Sequence, residues 1–245
     1  MFKGFSKEAV AFLKDIRVNN EKEWFEPRKQ LYLDELFHPM KELCAEVSAP
    51  FMKLPSMIAR AGRIYADPSF PPYKKYRESM WIIVKHEAYD WSKTPSLFFE
   101  ISGDGAVFGF KITHPSAPVM EAFRQKIVTD DGDFFKLAKR IERSGIVIGG
   151  EEYKRPKPCT VPQAERFCKK KSLSMTLTVS ESDPLLYSPK LSETVRDTFK
   201  KLLPVNELFD EFVAQAEAEK LALKLAAAAQ PEPEMPKAPD VDFMW

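Results

Sequence analysis

SLFFEISGDGAVFGFKIT, residues 96–113, sets two runs rich in Phe, Ile and Val on either side of Ser-Gly-Asp-Gly. Glycine tolerates the positive φ that tight turns demand, so Gly103 and Gly105 are expected at the bend of a β-hairpin. Working outward, segments near 57–65 and 79–87 have the same make-up, β-branched and aromatic residues bounded by turn formers. Four such segments in succession predict an antiparallel meander. Two more strands are expected at IVIGG (146–150) and SLSMTLTVS (172–180). In the second, Leu173, Met175, Leu177 and Val179 alternate with Ser and Thr, which predicts one buried and one wet face and suits a sheet edge.

Helical spacing surrounds this core. SKEAVAFLKDI (6–16) offers Ser6 as an N-cap, with Val10, Phe12, Leu13 and Ile16 near one face. After NNEKEW (19–24), Pro27 and Pro39 are expected to open two further helices, because proline suits a first helical turn. PVMEAFRQKIV (118–128) and DFFKLAKRIER (133–143) continue the helical pattern across an Asp-Asp-Gly break. The last helices are expected at about 190–203 and 205–228, with Pro204 as their junction. The resulting fold class is α+β, a single domain over 1–228 in which a mainly antiparallel sheet packs with N-terminal and C-terminal helices. The proline-rich stretch 229–245 is expected to be a disordered tail, its final FMW either a sticky end or a peptide docking element.

At 245 residues and 44% hydrophobic, the chain has ample material for a core. Lys+Arg 37 against Asp+Glu 36 leaves a net charge of +1, so no global field draws in nucleic acid or an anionic membrane, and anion binding must be local. Cys44, Cys159 and Cys168 are scattered, odd in number and without a CxxC pair, which argues against a disulfide framework and a zinc site. The opening MFKGFSKEAV has no apolar signal core, and no window reaches the roughly 18 apolar residues of a membrane span. A cytoplasmic protein is expected.

The densest polar cluster is RIYADPSFPPYKKYRESMW (63–81). Arg63 and Tyr65, two apart, face one side of an extended strand, with Arg60 on the other. Asp67 follows, and Pro68, Pro71 and Pro72 stiffen a loop that presents Tyr73, Lys74, Lys75, Tyr76 and Arg77. Guanidinium and ammonium groups beside phenolic hydroxyls are the parts of phosphate and carboxylate pockets. Asp67 is a candidate acid or base. The plainer reading is a structural Arg63–Asp67 pair with solvated lysines. His86 follows in the next strand, while His38, His86 and His114 show no metal-ligand spacing. GxSxG, GxxxxGK[ST] and GxGxxG are absent, so no cofactor is expected. GIVIGGEEYKRP (145–156) reads as a strand and turn, whose Lys154 and Arg155 extend a basic rim if the fold brings them near residues 74–77. Three lysines behind Cys168, in ERFCKKK, would lower its pKa.

Taken together, FKGFSKEAVAFLKDIRVNNEKEWFEPRKQLY, RIYADPSF with YKKYRESMW, and GGEEYKRPKP resemble a bacterial and fungal family known as domain of unknown function 2461. The resemblance runs from about residue 2 to 215, and NNEKEWF is its most specific part. It implies a single intracellular α+β domain with no assigned activity or cofactor. The family's central motif, approximately R-I-x-R-D-x-R-F-S-K-D-K-x-P-Y-K, is matched by Arg63, Ile64, Asp67, Phe70, Pro72, Tyr73 and Lys74. Ala66 and Ser69 stand where the family has arginines, and Pro-Pro replaces the longer insert, removing several charges.

Three functional readings follow. In the first, a small anionic ligand, phosphorylated or carboxylate, binds at the loop 63–81 through Arg63, Tyr73, Lys74 and Arg77. In the second, an enzyme uses Asp67 as general base, assisted by Tyr65 or His86. In the third, a protein interaction module dimerises through Trp24, Phe25 or the helical C-terminus.

Overall fold

A computed structural model describes residues 1–67, 69, 71, 73–87, 92–129, 132–155 and 157–228. The tail at 229–245 and the Asp-Asp break at 130 and 131 lie outside the described residues, as do Pro68, Phe70 and Pro72 of the loop.

Helix α1 (Lys7–Val18) starts where the Ser6 side chain accepts the Ala9 N–H at 3.0 Å, and it buries Val10, Phe12, Leu13 and Ile16. The chain bends at 19–21 and stays helical from there to Ser48, through α2 (Lys22–Phe25), α3 (Lys29–Tyr32) and α4 (His38–Ser48). Pro39 stands in the first turn of α4, as expected, although the chain is already helical before it, and Pro27 opens no separate α-helix. Pro27 sits in a 3-10 turn, Glu26–Arg28, between α2 and α3. Before Pro39 the chain widens into a π-helical turn, Leu33–Phe37, and the His38 N–H reaches back five residues to the Leu33 carbonyl. A ring without an N–H is accommodated by shifting the hydrogen-bond register around it.

Among the described residues the sheet has six strands in the order β1-β2-β3-β4-β6-β5, every neighbouring pair antiparallel. The expected meander is β1 (Met57–Ala61), β2 (Ser79–His86), β3 (Ser96–Ser102) and β4 (Gly105–Ile112). Ser102 pairs with Gly105 across the Gly103-Asp104 turn. Of the two turn glycines only Gly105 takes a positive φ, at 126°. Helices α5 (Ala117–Thr129) and α6 (Asp133–Arg143) then lead to the short β5 (Val147–Gly149), α7 (Glu165–Cys168) and β6 (Leu173–Ser180). β6 is not an edge strand: it pairs along its whole length with β4, and Val147, Ile148 and Gly149 cover its other side.

Alternation along the strands divides the sheet into two faces. One carries Met80, Ile82, Val84, Leu97, Phe99, Ile101, Phe108 and Phe110, all buried. Helix α8 (Lys190–Ala228) covers it with Leu191, Val195, Phe199, Leu202, Val205, Phe209 and Phe212. Phe209 lies 5.6 Å from Phe110 and 4.9 Å from Phe123 between ring centroids. Pro204 is no junction, because α8 runs through it unbroken. The proline faces solvent, and the burial of the flanking Leu202 and Val205 holds the helix across the missing N–H. Helices α1 and α4 pack on the same face, against β3 and against β1 and β2. The opposite face of β2, β3 and β4 carries Trp81, Ile83, Lys85, Ser96, Phe98, Glu100 and Lys111.

Candidate functional site

The two ends of the segment 63–77 pair with each other, residues 64–66 against 75–77. Tyr65 and Tyr76 form a β-bridge, Arg77 donates its backbone N–H to the Ile64 carbonyl at 2.6 Å, and Ala66 donates to the Lys75 carbonyl at 3.0 Å. Asn20 clamps the closing strand. Its Oδ1 accepts the N–H groups of Lys75 and Tyr76 at 2.9 and 3.0 Å, and its Nδ2 donates to the Tyr76 carbonyl at 2.9 Å. Lys75 is paired with Glu21, and the fully buried Phe25 stacks on Tyr76 with centroids 4.2 Å apart. Phe25 is therefore core, which leaves Trp24 and the helical C-terminus of the dimer contacts expected from the sequence. Trp24 is half-buried, with the Arg28 guanidinium 4.7 Å from its ring centroid.

This ladder sends the anticipated ligand residues in different directions. Asp67, Lys74 and Arg77 line a cavity of about 380 Å³ with Pro71, Glu78 and Ser79. The Asp67 carboxylate is exposed and accepts the Ser69 N–H at 2.9 Å, and Lys74 is paired with Glu78. No Arg63–Asp67 ion pair forms among the described residues. Arg63 lines a different cavity on the helix side, with Lys41, Cys44, Ser48 and Ala61. Tyr73, with φ 58°, is 68% exposed and lines neither of these cavities. Tyr65 is half-exposed beside Phe25 and Tyr76.

Nor do Asp67, Tyr65 and His86 assemble into one catalytic group. His86 ends β2, an eight-residue strand whose other end meets the loop, and it is on the helix-covered face with its Nε2 3.7 Å from Asp210. Lys154 and Arg155 follow β5, at the opposite edge of the sheet from residues 74–77, and do not extend the basic rim.

Arg77 and Ser79 also line a second, larger recess of about 460 Å³ on the open face of the sheet. Its walls are Trp81, Ile83 and Lys85 from β2, Ser96, Phe98 and Glu100 from β3, and Lys111, Thr113 and His114 at the end of β4. Ser96 pairs with Lys111 in the β3–β4 register, and Lys85 lies one position beyond the Val84–Leu97 pair, so two lysines flank Ser96. Lys85 is 1% exposed and hydrogen-bonds Thr94. The Lys111 ammonium sits 4.0 Å from the Phe98 ring centroid, a cation–π distance. Burial lowers its pKa below that of an ordinary lysine, and the Glu100 carboxylate opposes that shift. Glu100 itself accepts the Ser79 hydroxyl at 2.6 Å. The Trp81 indole packs against Gly62, where any Cβ would strike it.

A family model described as conserved hypothetical protein (DUF2461) matches residues 8–208. The chain belongs to this family. No curated protein matches the chain. The DUF2461 match spans α1 through most of the sheet-covering part of α8, and thus includes every wall of both cavities. Within it, NNEKEWF and the loop segment, far apart in sequence, are held together by Asn20, Glu21 and Phe25.

The recess was hidden from motif reading, because Lys85, Glu100 and Lys111 come from three strands with no short spacing. One signal was available: charged residues at alternating positions in otherwise apolar strands mark a polar face. The cysteine reading also changes. Cys168 is 1% exposed, and its three following lysines are paired with Glu165, Glu152 and Glu151. Burial and the neighbouring Cys159 push its pKa up to about 12 instead of down.

Proposed function

We propose that this protein binds a small anionic ligand in the recess on the open face of the sheet, with the 63–77 ladder forming one end of it. The observation that carries this reading is the charge of the lining. Arg77 and Lys111 line the recess with the buried Lys85, against one lining carboxylate, Glu100, among the described residues. Guanidinium and ammonium donors on rigid strands suit a phosphate or carboxylate. Trp81 and Phe98 offer apolar ring surface beside those donors, which suits a ligand with a planar or apolar body. Among the described residues no helix is long and apolar enough to cross a membrane. Three free thiols accord with a cytoplasmic setting for this role.

The test is thermal stability across nucleotides, sugar phosphates and carboxylic acids. A ligand at a hundred times its Kd adds about 2.7 kcal/mol, a shift of several degrees. Lys111→Met is expected to abolish the shift while Arg63→Ala, in the other cavity, preserves it. The reverse pattern, or no shift with any compound, sinks the proposal. Because burial lowers the Lys111 pKa, affinity is expected to fall with rising pH earlier than an ordinary lysine would allow, which titration calorimetry at successive pH values measures.

Proton transfer by Asp67 has one observation in its favour, an exposed carboxylate lining the adjoining cavity. Under this second reading Asp67→Asn leaves ligand binding intact and removes turnover of the bound compound. Equal turnover by the variant excludes it.

A further inference from the structure

The loop between β5 and α7 brings two of the three cysteines into contact. Cys159 precedes a 3-10 turn, Pro162–Ala164, and the chain then enters α7, whose last residue is Cys168. This reversal places the Cys168 thiol so that it donates to the Cys159 sulfur at 2.8 Å, while the Cys159 thiol donates to the Val161 carbonyl at 3.3 Å. The two are unequal in access: Cys159 is half-buried, Cys168 almost wholly covered. The third cysteine, Cys44, is on α4 in the wall of the helix-side cavity.

Arg124 of α5 bears on the same place. It is 7% exposed, hydrogen-bonds Glu121, and has an Nη1 with no hydrogen-bond partner among the described residues. Burial and the contact with Cys159 hold the Cys168 thiol protonated, and the Arg124 charge offsets them only in part, with Glu121 acting the other way.

We propose that Cys159 and Cys168 are a thiol–disulfide exchange site, forming a reversible intramolecular disulfide by reaction with low-molecular-weight disulfides of the glutathione class. The accessible Cys159, as thiolate, attacks one sulfur of the small disulfide. The S–S bond of that molecule breaks, and one thiolate leaves and takes up a proton. Cys168 then attacks the Cys159 sulfur, which it already touches, giving up its proton as the new bond forms. The mixed disulfide breaks, and the second small thiolate departs and takes up the proton that Cys168 gave up. Two protein thiols are oxidised, one small disulfide is reduced to two thiols, and no further oxidant is needed. The product closes the segment 159–168, pinning the loop that carries Tyr153, Lys154 and Lys157 to α7. This site is independent of the sheet recess.

The experiment incubates the reduced full-length protein in buffers of increasing glutathione disulfide to glutathione ratio, quenches with acid, alkylates under denaturing conditions and weighs the product. The expected oxidised species is lighter than the reduced protein by two hydrogens before alkylation. It carries an alkyl group on Cys44 alone, yields a peptide linked through Cys159 and Cys168, and reverts with dithiothreitol. Cys168→Ser is expected to stop at a glutathione adduct on Cys159, and Cys159→Ser to keep its two thiols. Three alkylated cysteines at every ratio overturn the proposal. A persistent glutathione adduct on the wild type, or a link through Cys44, overturns it equally, and these readouts need no variant to fold.

Discussion

Asp210 carries the largest carboxyl perturbation among the described residues. Burial in α8 against the end of β2 pushes its pKa from 3.8 to about 7, although Lys85 and the Asn206 amide, 2.7 Å away, favour the charged form. The unfolded chain releases this proton near 3.8 and the folded chain only near 7. Between those values the native state holds the extra proton, so stability from this group is complete below 3.8 and declines as pH rises through about 7. The loss is on the order of 4 kcal/mol. Asp210→Asn is expected to remove that decline, gaining on the wild type as pH rises, in urea unfolding at successive pH values. Asn20 gives a second test at this scale. It joins α1 to the site ladder through three hydrogen bonds to Lys75 and Tyr76, two of them to N–H groups that close the ladder. Asn20→Ala is expected to cost roughly 2 kcal/mol or more and to loosen residues 73–77, read as lost hydrogen-exchange protection of the Arg77 amide. Arg77, Lys74 and Asp67 were recognisable as candidates from charge density alone, but Asn20 was not, because an asparagine after a helix reads as a cap until its long-range partners are known.

At the scale of elements, the strands were the most legible part. Apolar alternation and the Gly-containing turns locate β1 to β4 and β6 to within a few residues, because side-chain period and turn chemistry are local properties. Pro27 and Pro204 were misread. Pro27, Pro39 and Pro204 each carry a local cost that suggests a helix boundary, and at each the chain stays helical because neighbouring side chains are buried on both sides. Since Pro204 is exposed and lacks the N–H that its helical position would use, Pro204→Ala is expected to raise stability by about 1–3 kcal/mol, measured by chemical denaturation. An unchanged or lowered stability would mean that the α8 backbone is adapted to the ring.

Across the whole molecule, one buried cluster joins α1, α4, α5, α6, the sheet and α8 as far as Phe212. Beyond it α8 is largely exposed, with Leu221, Leu223 and Leu225 each more than half accessible. A chain ending at residue 216 is therefore expected to keep the melting temperature of the full protein to within a few degrees in a calorimetric scan. A collapse of the transition would show that the exposed half of α8 supports the core. Composition, hydrophobic period and turn residues, read along the chain, determined the α+β class, the meander and the apolar faces of the helices, because these follow from interactions within a few residues. The tertiary structure alone decided that Arg63 parts from Asp67, that Lys85 and Lys111 flank Ser96, and that Cys159 meets Cys168. Those neighbourhoods depend on strand register and on how the sheet packs against its helices, which no local pattern encodes.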